Sequence, residues 1–250
     1  MNDLITIHLN SSNAAKYYNG SYNSQVEFSL PYINIPSDYT IYLNVAHVAI
    51  PYSFYNINTT NNILKYSISS TIYSITIPVG NYTVTNLLSQ LISLFPNAFT
   101  ITYSGITNKF NFLHSTQDFV FIYDQYNIQS TCFGILGFSL GYQYSLNKAL
   151  TSDTMANLCP TRCLCISSTF LTQNITTVAP NNSSILCSIP VTVNPYTIIS
   201  YQNNVFKVNI NSNMLNAVQI KITDQDGNLL NLNSIHWSIT LNLELVNYVN

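Results

Sequence analysis

The residues with the most chemical potential are a serine between two glycines, a run of cysteines, an acidic loop and four histidines. Gly137-Phe138-Ser139-Leu140-Gly141 matches the G-x-S-x-G pattern. In that pattern a sharp strand-to-helix turn exposes a nucleophilic serine, and an acid and then a histidine follow in the chain. The only histidine after Ser139 is His236, beside Trp237 in a strand-like segment, and no helical period follows Gly141. The parts a hydrolase needs are missing, so the match reads as a coincidence of sequence. Cys159, Cys163 and Cys165 lie close together, with Cys187 further on. Structural zinc takes four ligands, usually from paired C-x₂₋₄-C units. Cys163 and Cys165 would share one face of a strand, and Cys187 could approach from a neighbouring strand. Thiols serving as small apolar core residues are the preferred reading. The sequence leaves open whether Cys159, Cys163, Cys165 and Cys187 bind metal or form disulfides. Asp224-Gln225-Asp226-Gly227-Asn228 has the acidic look of a calcium loop. An EF-hand needs Gly at its sixth position and Glu at its twelfth, which here are Leu229 and Ile235. A glycine-containing hairpin turn explains the segment. His8, His47, His114 and His236 each fall in or beside a strand-like segment, and none has an acidic partner at suggestive spacing. No catalytic, cofactor-binding or metal-ligating residue is therefore assigned, and no enzyme and no cofactor are expected.

Composition narrows the class further. Of 250 residues, 6% are charged, with seven Lys+Arg against nine Asp+Glu. An ordinary soluble domain carries roughly 25%. The hydrophobic share is 47%, and there are 19 Tyr and 12 Phe. Disordered chains are poor in aromatics and rich in net charge, so disorder is excluded. Seven scattered basic side chains cannot displace counterions along a phosphate backbone, which argues against nucleic-acid binding. In place of charge the chain has 35 Asn and abundant Ser and Thr. An A+T-rich coding sequence would favour Ile, Asn, Tyr and Phe, but it should also favour Lys, of which there are six. Low charge was thus tolerated or selected. A surface of amides, hydroxyls and phenols loses little desolvation energy when another protein covers it, whereas burying a charge is costly. That suits a chain living inside an assembly; a neutral-surfaced monomer is the plainer alternative.

Met1 to His8 has neither a basic nor an apolar leader segment, so no secretory signal is read there. No apolar run approaches the ~18–20 residues of a membrane-spanning helix. Five cysteines, an odd number, then suggest reduced thiols in an intracellular fold. Triplets such as Asn58-Thr59-Thr60 and Asn174-Ile175-Thr176 arise by chance in a chain this rich in Asn, Ser and Thr.

The elements that must position these residues are mostly strands. Before residue 56 the pattern predicts strands over 4–9, 26–30 and 39–51. Two hairpins follow, 63–68 with 71–77 and 99–103 with 109–114, then a short strand over 119–123. Between the hairpins Leu87, Leu88, Leu91, Ile92 and Phe95 fall on one face of a 3.6 period, with Thr83 or Thr85 as a cap and Pro96 as the stop. After a polar linker near 145–157, strands are predicted over 162–168, 184–190, 197–201, 205–210, 217–223 and 236–246. In the last, Trp237, Ile239, Leu241, Leu243 and Leu245 alternate with polar residues. The expected fold is all-β, an eight-stranded single jelly-roll sandwich over 1–55 and 146–250. A small α+β lobe with one helix is inserted over 56–145.

Four stretches, taken in order, carry a family likeness. They are Leu43 through Ile57 with its Ile50-Pro51-Tyr52-Ser53-Phe54-Tyr55-Asn56-Ile57 ending, and Ile77-Pro78-Val79-Gly80-Asn81-Tyr82-Thr83 leading into the helix. Then come Ile135-Leu136-Gly137-Phe138, and finally Ile220 through Gly227 followed by Trp237-Ser238-Ile239-Thr240-Leu241. With these the chain resembles the single jelly-roll minor capsid (penton-type) proteins of virophages, Polinton-like viruses and related double-jelly-roll DNA viruses. The resemblance implies a virion structural protein: a homopentamer at the fivefold vertices of an icosahedral capsid, contacting capsomers of the major capsid protein. It implies assembly inside the host cell rather than secretion, and no catalytic residues. Two alternatives stay open. One is a minor capsid protein between or beneath hexon-like capsomers; the other is a receptor- or glycan-binding module of the virion, since jelly rolls also serve as lectins.

Overall fold

The structure is a computed structural model that describes residues 3–34, 36, 38–123, 130–168, 185–202, 207–210 and 214–247. The chain divides into two compact units, Met1–Phe54 with Thr161–Asn250, and Tyr55–Pro160. The first unit opens with β1 (Asp3–Asn10), β2 (Lys16–Tyr17), β3 (Gln25–Asn34) and β4 (Tyr39–Pro51). The inserted unit holds β5 (Ile63–Ile68), β6 (Thr71–Thr76), α1 (Val84–Leu94), β7 (Phe99–Ser104) and β8 (Lys109–His114). It continues with β9 (Val120–Phe121), α2 (Phe133–Leu136), β10 (Gln143–Tyr144) and β11 (Ala149–Thr151). The chain then returns to the first unit with β12 (Cys163–Ser168), β13 (Ile185–Pro190), β14 (Ile198–Gln202), β15 (Val208–Ile210), β16 (Met214–Thr223) and β17 (Ser238–Asn247).

The first unit is a jelly roll by its strand order. One sheet runs β1-β17-β4-β14, with β15 also on β4, and the other runs β13-β12-β16-β3-β2. Treat β14 and β15 as one interrupted edge strand and leave out the two-residue β2. In chain order the sheets then read 1-8-3-6 and 5-4-7-2, the interleaving of two Greek keys. Pattern explains the register. Trp237, just before β17, and Ile239, Leu241, Leu243 and Leu245 on it are buried in the core between the sheets. A one-residue slip would turn that whole set to solvent. β4 shows the same rule with an interruption. Ile41, Leu43 and Val45 face the core, and then Val48 and Ile50 do. The parity switches because Thr240 pairs with His47 and Leu241 with Val45, leaving Ala46 as the extra residue of a bulge. Each large core side chain buried this way contributes about 1.5–3 kcal/mol.

The inserted unit has its own core. Its sheets run β10-β9-β5-β6 and β11-β8-β7. The β5–β6 turn has Ser69 and Ser70 at φ 48° and 70°, the pair of left-handed residues a two-residue hairpin requires. Helix α1 starts where Thr83 accepts a hydrogen bond from the Asn86 N–H at 3.3 Å, and it buries Leu87 and Leu91. Phe95 ends it and joins Phe99, Phe112 and Phe121 in an aromatic cluster. Those edge-to-face and tilted contacts add to the area the rings remove from water.

Besides the two-residue strands β2 and β10, which were not expected, the observed elements differ from expectation at α2 and at β11. A second helix, the single turn α2, is present where one was expected, because four residues are too few to show a period. The segment read as a linker near 145–157 contains β11, which pairs Ala149 with Leu113 and Thr151 with Asn111. The strand thus belongs with the inserted unit, although the sequence boundary at 146 put it with the jelly roll. Parts of the strands predicted over 184–190 and 205–210, and the Asn174 triplet, lie outside the described residues.

Candidate functional site

The residues that looked catalytic serve turns and caps within their own units. Gly137 caps α2 at φ 84° and donates its N–H to the Phe133 carbonyl at 2.9 Å. Ser139 lies just beyond, and its backbone N–H donates to the Asp153 carboxylate at 2.8 Å. The segment continues into strand β10 rather than a helix, so this serine is not on a nucleophile elbow. In the same unit His114 is buried, and its Nδ1 accepts from the Thr116 and Gln117 N–H groups at 3.2 and 3.0 Å. That ring nitrogen ties down a turn. Asp224 closes its own loop, accepting from the Asp226 and Asn228 N–H groups at 2.9 Å each and from Asn228 Nδ2 at 3.0 Å. Its oxygens are engaged within the turn.

The cysteines are all free thiols. Leu164 and Ile166 of β12 point into the core, so strand alternation puts Cys163 and Cys165 on the opposite face. Cys187 pairs with Ile166 and packs against the core, so it does not join Cys163 and Cys165 as the sequence had allowed. Among the described residues no three His, Cys, Asp or Glu side chains come together as a metal site. Desolvation by burial raises the Cys165 thiol to about 11, with the neighbouring Cys163 adding to it. Burial, followed by Cys165, raises Cys187 to about 12. Burial also raises Cys132. The thiolate is the reactive form, and at pH 8 a thiol with a pKa near 11 is ionised to roughly one part in a thousand. Alkylation of the native protein at pH 8, read by peptide mass spectrometry, should mark exposed Cys159 and spare Cys132, Cys165 and Cys187. Labelling of these three should rise with pH. Fast labelling of Cys187 in the folded protein would contradict the burial.

Asparagines do the structural work that sequence reasoning missed. Asn56 donates from Nδ2 to the Tyr82 and Leu158 carbonyls at 2.9 and 3.0 Å, and its Oδ1 accepts from the Tyr82 N–H at 2.9 Å. One amide thus ties three passes of the chain within the inserted unit. In the jelly roll, Asn23 Nδ2 donates to the Ile235 carbonyl at 3.0 Å and lies 3.1 Å from His236 Nδ1. Ser11 Oγ accepts from the Trp237 N–H at 2.9 Å and lies 3.1 Å from the same ring nitrogen. A Ser-His pair exists here, but Ser11 is fully buried and inside a structural network. No sequence signal could single out these amides among 35 Asn.

What remains is surface. Among the described residues few ionic contacts decorate it: Lys207 pairs with Glu244, Tyr18 donates to Glu27, and Lys16 sits 4.4 Å over the Tyr18 ring. Large apolar and phenolic side chains stand in the open. Leu4, Tyr32 and Tyr196 do so on the jelly roll, and Ile106, Tyr144 and Leu146 on the inserted unit. Tyr142 and Tyr144 lie side by side, centroids 6.3 Å apart and planes 27° off parallel. Among the described residues no helix is long and apolar enough to cross a membrane.

No family model matches the chain, and no curated protein matches it in sequence. Among solved structures it is similar to the mavirus penton protein, at 13% identity over 99% of this chain and 100% of that one, with a TM-score of 0.48. It is also similar to VP17, a capsid protein of bacteriophage P23-77, at 9% identity over 98% and 97% of the two chains, with a TM-score of 0.21. At those identities and scores neither likeness establishes kinship.

Proposed function

We propose that this chain is a viral capsid structural protein of the penton type, a minor capsid protein that forms a homopentamer at the fivefold vertices of an icosahedral shell. The observation that carries the reading is a jelly roll whose exposed surface bears phenols, amides and aliphatic groups in place of charge. Permanent interfaces are richer in apolar and aromatic groups and poorer in charge than free surface. The four stretches that carry the family likeness support it, because they sit where the fold is decided. Tyr52 and Phe54 stack at 4.3 Å, Thr83 caps α1, Gly137 caps α2, and Trp237 to Leu241 lead the central strand. Five copies joined head to tail form a closed ring. Partners are further copies of this chain and the major capsid protein, and the place of action is the virion.

Native mass spectrometry of the purified chain, alone and with the major capsid protein, tests the reading. The expected species is five times the 28.1 kDa chain. Monomers persisting at assembly concentrations with the shell protein present would overturn it. A second reading, glycan binding by the inserted unit, is favoured by the exposed Tyr142 and Tyr144 platform. It requires saccharide binding on a glycan array that Tyr144→Ala abolishes.

A further inference from the structure

We propose that copies of this chain join through the two edge strands of one jelly-roll sheet, with β1 of one copy hydrogen-bonding to β14 of the next. The inference rests on the ring reading above and names its interface.

Direction is the first argument. The sheet order is β1-β17-β4-β14, and every step is antiparallel. Three such steps leave β1 and β14 running in opposite senses. Copies related by rotation about an axis along the strands therefore bring β1 against β14 as an antiparallel pair, the pairing used throughout the sheet. The two edges differ, so the contact is heterologous, which is the kind that closes rings.

The state of the edges is the second argument. Every other residue of an antiparallel edge strand aims its N–H and C=O away from the sheet. Natural edges are guarded by Lys, Pro, a bulge or brevity. β1 has none of these guards. It is eight residues long, pairs with β17 without a register shift, and contains no Lys or Pro. Among the described residues β17 is its only strand partner, and β4 is the only strand partner of β14. Ile5 and Ile7 point toward the core yet are only half-buried, whereas Leu9 on the same face is 3% exposed. A strand laid alongside would finish covering them.

Charge is the third argument. The outer face of β1 presents Leu4, Thr6 and His8, and that of β14 presents Ile198 and Ser200. No like charges meet, and side chains of the same face fall opposite one another. Main-chain bonds supply the adhesion, as in strand addition generally.

Paired cysteines test the contact. In a Cys159→Ser background, Ser200→Cys is combined in turn with Leu4→Cys, Thr6→Cys and His8→Cys. The assembled protein is mildly oxidised and run on a denaturing gel without reductant. At least one combination should give a covalent ladder reaching five chains, while each single variant stops at dimers or below. Hydrogen exchange of residues 4–9 and 198–202 should slow on assembly. Oligomers of native mass with no ladder in any combination and fast exchange at both edges would overturn the edge contact and leave the ring reading standing. Complete dimer formation by Thr6→Cys alone would also overturn it, because it signals β1 meeting β1. Monomers alone from the unsubstituted chain would overturn the ring and this contact together.

Discussion

Replacing Trp237 by alanine should cost the jelly roll about 3–5 kcal/mol, the range for removing a buried aromatic ring. Three contributions converge. The indole is 2% exposed in the core between the sheets, so its removal leaves a cavity. Its ring meets Phe28 edge-on, centroids 6.1 Å apart and planes at 76°. Its Nε1–H donates to the Asn23 carbonyl at 2.7 Å, and that carbonyl loses its donor. An unsatisfied buried acceptor costs about 1–3 kcal/mol by itself. Trp237→Phe keeps most of the volume and loses the hydrogen bond, so it should fall between the parent and alanine. Urea unfolding followed by far-ultraviolet circular dichroism gives the ordering. A loss under 1 kcal/mol for Trp237→Ala would mean that the ring is not in the core.

The inserted unit has its counterpart in Gly137. Its φ of 84° is open to glycine, and any other residue there meets a cost of about 1–2 kcal/mol. Space makes the cost larger. A Cβ would lie 2.9 Å from the carbonyl carbon and oxygen of Met155 and closer still to the Thr154 carbonyl oxygen. These are backbone atoms that cannot swing aside, and the Thr154 N–H donates to the Gly137 carbonyl at 2.9 Å. Gly137→Ala is therefore expected to destabilise the inserted unit by about 2–5 kcal/mol, summing conformational strain and overpacking. Gly105→Ala, where an added Cβ meets nothing within 4 Å, is the control and should be near neutral. The sole tryptophan, Trp237, lies in the other unit, so its emission reports whether the jelly roll survives while the inserted unit melts. Equal melting temperatures for Gly137→Ala and Gly105→Ala would show that the α2 cap does not matter.

These two residues also mark how far the sequence was legible. Trp237 opens a run of strict alternation, and alternation over nine residues admits one reading, a strand with one dry face. The α1 face was equally open, because Leu87, Leu91 and Phe95 repeat at helical spacing with Thr83 and Pro96 as punctuation. The jelly roll followed from strand count and order. Several elements of two to four residues were not readable, although β9 and β15 fall inside expected strands. β2, α2, β10 and β11 carry too little period to stand out, and they form because neighbours supply their hydrogen bonds. β11 in particular looks like polar linker and is held by its ladder to β8. Gly137 appeared inside a pattern that suggested a nucleophile, and its real task is steric. The amides of Asn23 and Asn56 were hidden by sheer abundance. The surface was legible in kind from composition, but which Tyr residues face outward depends on tertiary packing.

The most direct measurement is an icosahedral reconstruction of particles assembled from this chain and its major capsid protein. The expected result is five copies of a two-unit β molecule around each fivefold axis, with β1 of one copy beside β14 of its neighbour. Density for the chain between or beneath the hexon-like capsomers with the vertices filled by another protein, or particles lacking the chain altogether, would contradict it.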